Sequence, residues 1–586
     1  MPKLHQSTYI LGGLLLLLHV ILSVLNLSEG QFLQNVPLIV FMYLLIVNLL
    51  THLTVLQRQS KYFKLGISLF LVSSSWIVAG ILLRGDSIST LIMGSTQRGD
   101  GLFFYLLLPG FIVSVLNLGQ NALKVLYHFV FYIYTIIVLI GLVQKFSPRF
   151  LNPIDYDGVT GTFRNTNSAG AFYCLVGSAL LLKLAHEKRS VYTYLKLFVL
   201  VTGLYLGISS KTIQAPAIIL IVLFTLVILK TWNLLSRVLT PWSYKRISPL
   251  VKVLLAMSSL VFVYLITATP LMNIETFRFR QIYWESTISI IRNNWLFGIG
   301  PGNVSRYISE FRSLEYVEVL GANLIIDDPH NFFLSIILVY GVIPTLISGY
   351  IVFYSLKTLD LWRYNSTNSK QNAIAVGTAF IAYLNISYVS VSVIVFSILS
   401  ISLLRISEVK EEHLKESHGK KYSISTIVLI ICIVLSSSIS VSLSQVPKTL
   451  SYMEAVALIK NKHVRCEIRA QILSQLASSD FKFDYSELLK VYKIDPRCSS
   501  ISIAVMRFLI LNGIKQDEAI IEQFYSLDSR NPNVVLIVAL ASKEINNLKM
   551  LIKYQSALRE FTPGAFEKSD EGIREAFLNR IGSFSK

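Results

Sequence analysis

The apolar positions of this chain come in long blocks rather than in stripes. About thirteen runs approach the ~20 residues that a bilayer core requires. They lie at roughly 8–25, 36–56, 65–83, 102–118, 123–143, 167–184, 193–209, 213–230, 250–267, 331–355, 372–388, 389–404 and 423–441. Near 209–213 and 388–389 the polar connections are so short that consecutive helices must turn almost at once. The blocks predict an all-α polytopic membrane protein, and the first run, followed directly by another, reads as a retained helix and not as a cleaved leader. Two stretches break the pattern. Residues 268–330 form the largest polar piece between spans, and from about Gln445 onward no run reaches membrane length. The chain therefore divides into a transmembrane domain, 1–444, and a C-terminal domain, 445–586.

The polar loop has its own pattern. Between Arg278 and Gly341 it carries five Arg and no Lys. Arg278 to Arg292 predicts a short amphipathic helix with Ile282, Trp284, Ile288 and Ile291 on a partly apolar face. Asn293-Asn294 should end it, and Gly298, Gly300, Pro301 and Gly302 predict a tight turn. Asn331 is placed to cap the next helix. In the C-terminal domain, Asp495-Pro496, Asn531-Pro532 and Thr562-Pro563 recur at intervals of 36 and 31 residues. That is near the ~34 of a tetratricopeptide repeat, although a plain helical domain with Pro at helix starts leaves the same marks.

Composition agrees with the blocks: 53% of the 586 residues are hydrophobic and 15% charged. The net charge of +19 does not point to nucleic acid, because much of it sits beside spans, where Lys and Arg set orientation. With the N-terminus inside, the inner connections hold 22 Lys and Arg and the outer ones 11. The 268–330 loop is then outside, and an odd number of spans places the tail outside as well. Cys174 and Cys432 fall in spans, where Cys is a small packing residue. Cys466 and Cys498 fall in the tail, either paired in an oxidising compartment or as two free thiols.

The middles of the spans contain no Asp, Glu, Lys or Arg, which lowers the case for an ion-coupled transporter. Cations gather instead on the outer surface, at Arg84, Arg98, Arg164, Lys211 and Arg280, together with His330. Taken singly, each is a snorkelling anchor. Together they suit a diphosphate, whose oxygens match guanidinium forks. His330 precedes a helix, whose dipole favours neutral imidazole able to take a proton from a hydroxyl, while Asp327 and Asp328 push the other way. Asp327-Asp328 is an adjacent pair without a second carboxylate cluster, so no metal site is expected. There is no glycine-rich phosphate loop, no cofactor is expected, and a nucleotide-sugar donor is not indicated.

Several segments resemble the O-antigen ligase and O-antigen polymerase superfamily: GSTQRGDGLFFYL (94–106), GLVQKF (141–146), GTFRNTNSAGAFYCLV (161–176), the SSK turn (209–211), RQIYWESTISIIRNNWLFGIGPG (280–302) and HNFFLSIILVYGVI (330–343). The resemblance covers roughly residues 90–345. It implies a GT-C-like multispanning enzyme of the bacterial inner membrane with its site on the periplasmic face. Such an enzyme passes a glycan from an undecaprenyl-diphosphate carrier to an acceptor, with inversion and without a metal. By position, Arg280 is similar to the loop Arg that binds the carrier diphosphate, and His330 to the essential His. Where the family has a second Arg, in a Ser-x-x-Arg-like turn, this chain has Lys211, which keeps the charge and loses the fork. Some members carry helical-repeat tails. The acceptor stays open: lipid A core, a growing glycan or a protein hydroxyl. Outside the family, a polysaccharide flippase or exporter and a membrane scaffold are the rival readings.

Overall fold

The structure, a computed structural model, describes chiefly residues 10–20, 120–147, 159–238, 275–320, 328–350, 367–406, 499–511, 515–561 and 571–581, with single residues between them. All of its elements are helices, and no strand occurs among the described residues. The expected spans at 250–267 and 423–441 lie outside them, as do Arg84, Arg98, Arg164, Asp327, Cys432, Cys466 and Cys498.

Among the described residues, four helices are long and apolar enough to cross a membrane: α1 (Gln120–Phe146), α2 (Thr166–Leu184), α3 (Val191–Ser209) and α4 (Gln214–Val238). At 1.5 Å per residue, even the 19 residues of α2 span about 29 Å, the thickness of the hydrocarbon core. α2 is the hub and is buried along nearly its whole length. Small residues let its neighbours approach, as between membrane helices generally. A Cβ on Gly207 would stand 2.6 Å from Cys174 Sγ, and one on Gly177 would stand 2.4 Å from the Tyr134 hydroxyl. Cys174 is thus a packing residue. Two tyrosine hydroxyls in this interface are satisfied by backbone: Tyr134 donates to the Tyr173 carbonyl at 3.0 Å and Tyr173 to the Ile137 carbonyl at 2.9 Å. α3 turns Phe198, Val201, Tyr205 and Ile208 outward, as a lipid-facing helix does.

α9 (Thr367–Ile386) and α10 (Val391–Leu403) pack on this group, the first against α4 and α2, the second against α2 and α1. His19, which a count of Asp, Glu, Lys and Arg passes over, is buried in the helix Ile10–Val20. Its Nε2 lies 2.9 Å from the Ser392 hydroxyl and ties that helix to α10. At one end of the bundle Lys183 donates to the Ile406 carbonyl at 2.9 Å and Lys196 pairs with Glu187 at 2.8 Å. The turn joining α3 to α4 lies at the other end.

Two expected spans differ from the sequence reading. The run 389–404 forms only the 13 residues of α10. The run 331–355 is interrupted: α8 (Phe332–Tyr340) stops at Gly341, whose φ of 81° is left-handed. Its nine residues reach only about 14 Å. The break has a partner. The Ile299 and Gly300 amides donate to the Leu338 and Val339 carbonyls at 2.8 and 2.9 Å, and the Val342 amide donates to the Trp295 carbonyl at 2.9 Å. The 295–300 turn thereby satisfies acceptors that a helix end leaves open. A Cβ on Gly298, where φ is +64°, would sit 2.4 Å from the Val339 oxygen. Gly298→Ala is expected to cost about 2–4 kcal/mol through clash and strain, read as a lowered thermal midpoint in detergent. Gly377→Ala, inside α9 with nothing within 4 Å of its Cβ, should stabilise by about 0.5–1 kcal/mol.

The loop folds as α5 (Glu275–Asn294), α6 (Val304–Phe311) and α7 (Leu314–Leu320) around a small core of Ile282, Ile290, Ile299, Ile308 and Tyr316. α5 ends at Asn294 and left-handed glycines follow at 298, 300 and 302, as expected. Its buried face is the expected one only in part: Ile282 lies in this core and Ile291 packs against it. Ile288 is exposed, whereas Ser286 and Thr287 are buried because their hydroxyls bond back to the Ile282 and Tyr283 carbonyls.

Among the described residues the tail forms α11 (Ser499–Leu511), α12 (Glu518–Leu527), α13 (Pro532–Glu544), α14 (Leu548–Leu558) and α15 (Glu571–Ile581). Asn531 caps α13 and Pro532 opens it. α13 is buried from Pro532 to Ser542, with the other four around it. The tail touches the loop. Arg312 at the end of α6 forms a bidentate pair with Asp528, at 3.0 and 2.5 Å, and both side chains are buried. Loop and tail therefore lie on one side of the spans.

Candidate active site

The site is built where α5 meets the start of α8. Trp284 donates its indole N–H to the Pro329 carbonyl at 2.9 Å, fixing the approach to His330. The Asp328 carboxylate accepts the His330 backbone N–H at 2.6 Å and the Ser335 hydroxyl at 2.8 Å. These bonds hold His330 in the left-handed region, at φ 55°. Asn331 caps α8, its side chain accepting from the Phe333 and Leu334 amides, as expected from sequence. The His330 ring lies against Tyr283 with centroids 5.6 Å apart and planes 20° from parallel.

Arg280 is one turn before Tyr283 on α5 and is buried. Burial pushes its guanidinium down to about 10, and its interaction with Tyr283 works against that shift. It remains a cation at neutral pH, one removed from water. Desolvated charge gains most from an anionic partner. Arg280 and His330 thus share Tyr283.

Lys211 arrives by another route. It sits exposed in the α3–α4 turn at φ 59°, behind Ser210, and Ser210 Oγ and Thr212 Oγ1 pack so closely on Gly170 of α2 that a Cβ there would lie 2.6 and 2.7 Å away. Three residues on, Gln214 donates to the Ile386 carbonyl at 3.4 Å and accepts from Ser387 at 2.8 Å. Asn331 donates to the preceding carbonyl, that of Asn385, at 2.9 Å. Adjacent peptide groups at the end of α9 are therefore gripped from both sides, once beside His330 and once beside Lys211. Lys211, Arg280 and His330, the three expected site residues that are described, lie toward the same end of the bundle. Arg98 and Arg164 lie outside the described residues.

Among the described residues only three non-glycine positions have positive φ: Lys211, His330 and Asn546. Such conformations cost about 1–3 kcal/mol each and cluster at functional sites. Sequence reasoning missed Tyr283, Gln214 and the pair Asn331–Asn385. Tyr283 had a visible signal, its helical spacing of three from Arg280; the other two depend on which helices pack. No family model, curated protein or solved structure matches the chain.

Proposed function

We propose that the chain is a lipid-linked glycan transferase. It takes a glycan from an undecaprenyl-diphosphate carrier and passes it to an acceptor hydroxyl at the periplasmic face of the bacterial inner membrane, in the manner of the O-antigen ligase superfamily. The observation that carries the reading is a desolvated guanidinium and a basic ring on one tyrosine, Arg280 and His330 on Tyr283, with a second cation, Lys211, at the same end of the bundle. In this reaction the acceptor oxygen attacks the anomeric carbon and its proton passes to His330. The bond to the carrier phosphate breaks, and Arg280 and Lys211 take up the charge that grows on the leaving diphosphate. The GT-C-like arrangement of the spans and the repeat-like character of the tail belong to the same proposal.

Deleting the gene tests the function and sorts the acceptors. Glycan lost from lipopolysaccharide marks a ligase, shortened chains mark a polymerase, and glycan lost from a protein marks an oligosaccharyltransferase. Glycan trapped on its carrier at the inner leaflet would sink the reading in favour of a flippase. Topology gives a second check. Reporters fused after Asn303 and after Ser500 should both read outside and one after Glu411 inside; an inside signal at Asn303 removes the site from the periplasm.

A further inference from the structure

The buried pair between Arg312 and Asp528 joins segments 216 residues apart, and it is elaborate for a tether. Asp528 also accepts from Asn531 Nδ2 at 3.0 Å, and Arg530 donates to the Arg312 carbonyl. Burial pushes the Asp528 carboxyl up, with Arg312, Asn531 and Arg530 pulling it back. Arg312 in turn lies over the Tyr316 ring, its Cζ 5.8 Å from the centroid.

From Tyr316 two routes lead to His330. By rings, Tyr316 stands 6.0 Å from Tyr283, and Tyr283 stands 5.6 Å from His330. By backbone, the Tyr316 hydroxyl accepts the Ile326 amide at 3.3 Å, two residues before Asp328, which in turn binds the His330 amide. Tyr316 is fully buried, so it cannot shift without moving both routes. A buried ion pair adds little net stability compared with an apolar replacement, and its best-attested use is to fix one arrangement among several.

We propose that the tail is a working part of the loop site: Asp528 is a positioning residue that sets the His330 ring through Arg312, Tyr316 and Tyr283. The site concerned is that of the proposed transferase, but the ring's placement can be read without any substrate. In this arrangement the tail does not touch the reacting groups. It holds the rings against which His330 rests.

The full-length protein in nanodiscs is labelled with diethyl pyrocarbonate, and the labelling rate of His330 is followed by peptide mass spectrometry, with His128 and His186 as internal references. Asp528→Asn should change the His330 rate by about threefold or more and leave the reference rates alone; Tyr316→Leu should do the same, and the double variant should add little, as coupled sites do. Arg312→Lys keeps both charges and removes only the fork, and it should change the His330 rate in the same direction. Asp528→Glu should restore part of the wild-type rate. An unchanged His330 rate in folded Asp528→Asn or Arg312→Lys overturns the proposal, as do fully additive effects. If wild-type protein transfers no glycan, the functional reading fails while the labelling result stands by itself.

Discussion

His330→Ala should lose about 10²–10⁴-fold in glycan transfer, the contribution of a positioned general base, with protein level and insertion near normal. The left-handed backbone at this position sharpens the test. Alanine inherits the strain, whereas glycine adopts φ 55° freely. His330→Gly should therefore be more stable than His330→Ala by about 1 kcal/mol, seen as a higher thermal midpoint, while being equally inactive. A stability gain with activity lost is the mark of strain kept for function. Transfer at the wild-type rate by either variant would remove His330 from the chemistry.

The cations should part company in a defined way. Losing one leaving-group contact typically costs ~2–4 kcal/mol, or about 10²–10³ in rate. Lys211→Ala and Arg280→Ala should both fall in that range, and Lys211→Glu should be inactive. Lys211→Arg should retain activity, because the exposed turn has room for a fork. Arg280→Lys is the informative variant. Burial lowers Arg280 to about 10, so the wild-type residue stays charged through neutral pH. A lysine starts about two units lower, and the same burial carries it toward neutral pH. A base that loses its proton loses its charge as pH rises. Transfer by Arg280→Lys should therefore fall between about pH 7 and 9 while the wild type stays level. A flat profile in the variant would show that Arg280 does not bind as a cation. Normal transfer by Lys211→Ala would make Lys211 a surface anchor and move the search to Arg84, Arg98 or Arg164.

How much could be read in advance depends on how local each cause is. The ends of α1 to α3 and the start of α4 fall within a few residues of the expected spans, because apolar length determines them, whereas α4 runs on to Val238, eight residues past the expected end at 230. The cap at Asn331 and the glycine turn after Asn294 follow from backbone chemistry written in single residues. The break at Gly341 was not legible, since it requires the 295–300 turn to supply amides to the carbonyls of α8. On α5 the core side of Ile282 and Ile291 follows the apolar pattern, but the exposure of Ile288 does not, because two hydroxyl side chains satisfy themselves on the preceding turn and go inward. In the site, Arg280 and His330 were recognisable as residues, but the tyrosine they share and the double grip on α9 arise only from packing.

The Arg312–Asp528 pair also sets a clock on biogenesis. Its two halves are separated by 216 residues, which a ribosome takes roughly 10–40 s to add at 5–20 residues per second. Throughout that interval the loop has been delivered to its side of the membrane while the carboxylate that covers Arg312 does not yet exist. The protein is thus completed last at the end that carries the candidate site, and a nascent or prematurely terminated chain carries the spans without Asp528 against Arg312.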